Sequence, residues 1–105
     1  MSQGTVIWKG KSGKTYEFEV WGKNTTWNEV ACVYTVTRKL ADGRYGCIYI
    51  GETDNMRNRF SGHENESCFD RHNWTHVCTY RENNSDERLR IEADILANYN
   101  WPCNG

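Results

Sequence analysis

The chain has little of what the most obvious function classes require. No apolar run approaches the length needed to cross a bilayer. Met1-Ser2-Gln3-Gly4 is not a basic stretch followed by an apolar one, so no signal peptide is expected and the predicted location is cytoplasmic. Positive charge is not in excess: 13 Lys and Arg stand against 14 Asp and Glu, a formal net charge of −1. That argues against a broad array of phosphate contacts, and predicts weak, salt-sensitive binding to any nucleic acid, or help from a partner. The five cysteines form no C-x-x-C pair, and their odd number leaves at least one outside any intramolecular disulfide. Cys32, Cys47 and Cys78 fall within apolar runs, where free cysteine behaves as a small hydrophobe, so reduced structural thiols are expected. There is no internal repeat and no low-complexity segment.

What remains is 105 residues, 13% aromatic and 26% charged, which is one small globular domain with a single core. Thr5 to Lys9 and Thr15 to Trp21 flank a Gly-containing loop. Tyr16-Glu17-Phe18-Glu19-Val20 alternates apolar and polar as a half-buried strand does, so the pair reads as a β-hairpin. Residues 22–28 are polar and form a connector, with Trp8, Trp21 and Trp27 sealing the hairpin onto the rest. Val30 to Thr37 is β-branched and apolar and predicts a strand, with Cys32, Tyr34 and Val36 on one face and Val33 and Thr35 on the other. Asp42-Gly43 signals a turn, and Tyr45 to Ile50 returns antiparallel. Residues 64–73 read as a polar loop with room for a minor helix, and Trp74 to Arg81 as a further strand. Asn84 with Glu87 three residues on resembles a capping box for a helix from about Ser85 to Asn98. Leu89, Ala93, Ile95 and Leu96 define its expected packed face, and Glu92 lies within that stripe. Trp101-Pro102 ends the helical region.

The stretch that sets the functional reading is Y-I-G-E-T-D-N-M-R-N-R-F-S-G-H, Tyr49 to His63. Gly51 breaks a short strand and lets the backbone turn. Thr53 or Asp54 can cap a helix on which Met56, Arg59, Phe60 and His63, at i, i+3, i+4 and i+7, share one face. A guanidinium on an apolar face needs a partner or a purpose. One reading is structural, a buried Arg59–Glu92 ion pair ringed by tyrosines. The other is a polar pocket at a sheet edge, where Tyr34, Tyr49, Arg59, His63 and Glu92 converge.

The ordered set of residues decides between them. Tyr49-Ile50-Gly51, Arg59 eight residues after the glycine, His63 four further on, an upstream strand ending in Tyr34, Glu92 on a later helix and Asn104 near the end together resemble the GIY-YIG nuclease family. The resemblance covers roughly residues 31–104. One departure is Cys32-Val33 in place of the signature's Gly-Ile, at positions that pack the strand rather than carry protons. The resemblance implies an α+β fold, a three-stranded antiparallel sheet flanked by helices over residues 29–105, with residues 1–28 added as an N-terminal hairpin and connector. It implies an endonuclease that hydrolyses phosphodiester bonds in DNA, with Tyr34 as base, Tyr49 in its hydrogen-bond network, Arg59 on a nonbridging oxygen, and His63 polarising the pocket. Glu92 would be the ligand of one Mg²⁺ or Mn²⁺, and Asn104 a support of the pocket. No targeting module is recognisable, so specificity is weak or supplied by a separate targeting protein, and no membrane partner is implied.

The charges agree locally. Arg38, Lys39, Arg44, Arg57 and Arg59 outnumber Asp42, Glu52 and Asp54 between residues 38 and 59, whereas Glu82 to Asp94 is acidic. The rival from another class is a catalytically silent nucleic-acid-binding or protein-interaction module on the same fold. His63, Cys68, His72, His76 and Cys78 lie within sixteen residues, but their spacings match no standard zinc finger, and no zinc site is expected. A Cys/His nucleophilic hydrolase has no local support.

Overall fold

The alternation in the first twenty residues builds strands that do not stand apart. The computed structural model describes residues 2–105, and its regular elements are β1 Thr5–Lys9, β2 Thr15–Gly22, β3 Cys32–Lys39, β4 Tyr45–Thr53, α1 Met56–Arg59, α2 Glu66–Arg71, β5 His76–Arg81, α3 Ser85–Leu96 and a 3₁₀ turn Pro102–Asn104. All five strands form one antiparallel sheet in the order β1-β2-β5-β3-β4. This corrects the expected three-stranded sheet. A three-stranded β5-β3-β4 sheet would leave one edge of β5 with unpaired amides and carbonyls. β2 closes that edge, with Glu19 opposite Thr79 and Trp21 opposite Val77, so β5 becomes the central strand and the hairpin is part of the sheet.

The two faces carry separate cores. On one, Trp8, Phe18 and Val20 pack with Val33, Ile50, Ile91 and Ile95 beneath α3. On the other, Cys32, Tyr34 and Val36 pack with Met56, Phe69 and Trp74. The expected two-face division of β3 is therefore observed. The indoles do the sealing: Trp8 donates from Nε1 to Thr35 at 3.1 Å, Trp21 to Thr79 at 2.9 Å, and Trp27 packs edge-on against Trp21.

Three helix expectations change. Thr53 still belongs to β4, so neither it nor Asp54 caps α1; Asn55 does, its side chain accepting from the Asn58 amide. The helix ends after one turn, and Gly62 at φ 89° carries the chain away from its axis. His63 therefore does not share a helical face with Met56 and Arg59. Residues 66–71 form the minor helix for which the 64–73 loop had room. On α3, Asn84 caps as expected, accepting from Glu87 N at 3.0 Å. Of its expected packed face only Ile95 is buried; Ala93 is exposed, Leu89 and Leu96 are 52% and 38% exposed, and Arg88 and Ile91 take their place. Arg88 can sit inside because Glu52 meets its Nε at 2.9 Å and the carbonyls of Glu82 and Asn83 accept from Nη1.

The cysteines are also corrected. Cys32, Cys47 and Cys78 are free, but Cys68 and Cys103 form a disulfide that ties α2 to the 3₁₀ turn.

Candidate active site

Residues opposite one another on paired strands point to the same face, and diagonal neighbours there can touch. Tyr34 pairs with Gly51 and Val36 with Tyr49, so the two tyrosines are diagonal neighbours on one face of the β3–β4 ribbon. Their ring centroids are 6.0 Å apart. Gly51 makes the arrangement possible. A Cβ at this position would lie 2.6 Å from Tyr34 Oη, 2.7 Å from its Cζ and 2.9 Å from Tyr49 Cε2. Gly51 lies inside β4, which runs on to Thr53, so the glycine of Tyr49-Ile50-Gly51 serves as the floor of the tyrosine pocket and does not break the strand or turn the chain as expected from the sequence.

His63 reaches this pocket from the loop after α1. Its Nε2 lies 2.7 Å from Tyr34 Oη, and its Nδ1 is 3.0 Å from the backbone N of Asn65. The Asn65 amide can only donate, so Nδ1 carries a lone pair and the ring proton sits on Nε2. The imidazole thus donates to Tyr34 Oη. Phe60, Tyr49 and Phe69 pack edge-on or tilted around the ring. Burial, then the charge of Arg59, hold the His63 pKa down at about 4, so it is neutral at physiological pH. Burial pushes the Tyr34 hydroxyl well above the ordinary tyrosine value; Tyr49 adds to this and Arg59 opposes it. Tyr49 is half-buried and raised for the same first reason, with Arg59 lowering it and Glu92 raising it.

Arg59 and Glu92 are not joined, which removes the structural ion-pair reading. The ion pairs among the described residues are Arg44–Asp42, Arg88–Glu52 and Arg90–Glu87. Arg59 and His63 border an open groove of about 390 Å³ whose rim also carries Asp54, Asn58 and Glu64. Glu92 stands on α3, which packs on the opposite face of the sheet from Tyr34. Its carboxyl pKa is raised by burial first and then by the like charge of Glu52, while Arg59 lowers it. Tyr49, Arg59 and Glu92 therefore sense one another around β4, the edge strand of the sheet. The geometry brings Tyr34, Tyr49 and His63 into contact and leaves Arg59 and Glu92 as charges flanking them.

Asn104 lies outside this contact set. Its Oδ1 accepts from Ile50 N at 2.9 Å and its Nδ2 donates to Ile50 O at 2.8 Å, so it closes the outer edge of β4 one residue from Tyr49 and Gly51. Asn65, which sets the His63 tautomer through its backbone, and Glu52, which sets the charge around Glu92, were not singled out from the sequence. Neither role has a local sequence signal, because each depends on a backbone amide or a neighbouring strand. No family model, curated protein or solved structure matches the chain.

Proposed function

We propose that the chain is a divalent-metal-dependent endonuclease acting on phosphodiester bonds in DNA. The observation that carries this reading is the buried Tyr34–His63 pair over Gly51, a polar contact at 2.7 Å inside an aromatic pocket that packing alone does not require. The ordered resemblance of Tyr34, Tyr49-Ile50-Gly51, Arg59, His63 and Glu92 to the GIY-YIG signature adds to it.

The chemistry follows from the protonation states. A tyrosine can take a proton from an attacking water only as a phenolate, and burial keeps Tyr34 protonated on its own. The His63 Nε2–H aimed at Oη and the nearby Arg59 charge both favour the phenolate, so Tyr34 is poised for ionisation once positive charge enters the pocket. Arg59, free of any carboxylate partner, can pair its planar fork with a nonbridging phosphate oxygen. Tyr49 can hold the attacking water through its half-buried hydroxyl. Glu92 fits the remaining need. It is a half-buried carboxylate outside every ion pair described and crowded by Glu52, a hard oxygen donor that a divalent cation would relieve. Mg²⁺ or Mn²⁺ held there would supply Lewis acidity at the phosphoryl and leaving oxygens.

The test is nicking of supercoiled plasmid at low salt with Mg²⁺ or Mn²⁺. Wild type should nick; Tyr34→Phe and Arg59→Ala should each lose about 100-fold or more of the rate, as expected for loss of an acid–base or charge-stabilising group. No nicking by wild type with either metal, or full activity in Tyr34→Phe, would refute the proposal and leave the binding-module reading.

A further inference from the structure

Cys68 and His72 are four residues apart at the end of α2, so their side chains rise from one side of the helix. Cys103 approaches from the 3₁₀ turn. The two sulfurs and a His72 ring nitrogen all lie within 4.8 Å of one another. In a tetrahedral zinc site with bonds of about 2.3 Å to sulfur and about 2.0–2.1 Å to nitrogen, neighbouring ligand atoms stand about 3.5–3.8 Å apart. The cluster is therefore nearly the size of such a site, and small side-chain rotations close the difference once the sulfurs are released from each other.

We propose that Cys68, His72 and Cys103 form a redox-gated zinc site, in which a disulfide and a zinc ion are alternative staples between α2 and the C-terminal turn. A dithiol reductant delivers two electrons and two protons. The Sγ–Sγ bond breaks, two thiols form, and the reductant leaves as its own disulfide. Zinc then displaces the two thiol protons and takes the neutral His72 imidazole as third ligand, with water in the fourth position. The choice of thiols is favoured by contrast. Cys32 and Cys78 are buried in the sheet, and burial raises Cys32 and Cys47 to about 12 and Cys78 to about 11, whereas Cys68 and Cys103 are partly exposed beside an exposed histidine.

The staple has a task in this fold. Cys103 immediately precedes Asn104, whose amide closes the free edge of β4 at Ile50. Zinc would keep that closure under reducing conditions, where the disulfide is lost. This inference does not depend on the nuclease reading.

The test uses Co²⁺ as a spectroscopic substitute for zinc. Reduced wild type should bind one equivalent with thiolate-to-metal charge-transfer absorption and a tetrahedral ligand-field band, and the oxidised protein should show neither. His72→Ala, which keeps the disulfide and the fold, should bind Co²⁺ at least about 10-fold more weakly when reduced, since even loss of a supporting contact costs that much. The Ile50 amide should exchange its hydrogen faster in the metal-free reduced protein and slow again on adding zinc. No charge-transfer band in reduced protein, equal binding by the oxidised form, wild-type affinity in His72→Ala, or an Ile50 amide indifferent to zinc would each overturn the proposal.

Discussion

Replacing Gly51 by alanine isolates the steric basis of the tyrosine pocket. The new methyl carbon would sit 2.6–2.9 Å from atoms of Tyr34 and Tyr49, against a favourable carbon contact of about 3.5–4.0 Å. Tyr34 is fully buried and walled in by Tyr49, Phe60 and His63, so it has nowhere to turn. Overpacking of this kind costs about 1–3 kcal/mol. Displacing Oη from His63 also loses a buried hydrogen bond, about 0.5–1.5 kcal/mol. The reduced freedom of the unfolded chain returns about 0.4–1 kcal/mol. The net loss is about 0.5–4 kcal/mol, centred on about 2 kcal/mol, or about 10 °C in melting temperature for a domain of this size. Gly46→Ala on the same strand is the control: its Cβ would meet Arg38 O at 3.6 Å and Leu40 Cδ2 at 3.7 Å, ordinary contacts. Thermal unfolding followed by circular dichroism should show Gly51→Ala well below wild type and Gly46→Ala within about 2 °C of it. Equal melting of the two variants would show that the pocket yields and that the glycine is not needed there.

Other outcomes follow from the same contacts. The folded His63 pKa, about 4, lies below its unfolded value of about 6.5, so its stabilisation is complete above pH 6.5 and is lost as pH falls toward 4. The melting temperature of His63→Gln should accordingly depend less on pH than that of wild type across that window. Asn104→Ala removes both bonds to Ile50 and should cost about 1–2 kcal/mol, with faster exchange of the Ile50 amide by NMR. Cys103→Ser opens a disulfide spanning 35 residues of sequence and, without metal, should cost about 3–4 kcal/mol in denaturant unfolding under oxidising conditions.

The sequence made some of this visible and hid the rest for identifiable reasons. Period-two patterning reveals β2 and β-branched apolar content reveals β3, and the Asp42-Gly43 turn with its short spacing reveals the β3–β4 pairing that makes the tyrosines neighbours, because hairpin partners are close in the chain. The β2–β5 pairing joins residues 19–22 to residues 76–79, and no local pattern announces a partner that far away. Most of the α3 face is hidden in the sequence because Leu89 looks like core and Arg88 does not, until Glu52 on β4 supplies the counter-charge. His63 reaches Tyr34 although the helix meant to carry it ends at Arg59; the Ser61-Gly62 bend delivers it by another route. The disulfide was obscured by the three other cysteines, which gave an odd count and an apolar setting.

Glu92→Gln separates function from stability in one sample. The folded carboxyl pKa is raised, so the folded state binds more protons than the unfolded chain as pH rises through that range, and stability falls as the carboxylate forms. A neutral amide removes that cost. Nicking rate with Mg²⁺ and melting temperature, measured at pH 7 on the same preparation, should give a cleavage loss of about 100-fold or more with a melting temperature equal to or above wild type. Retained cleavage would contradict the assignment of Glu92 as metal ligand, and a lowered melting temperature alongside lost cleavage would mark it as a structural residue instead.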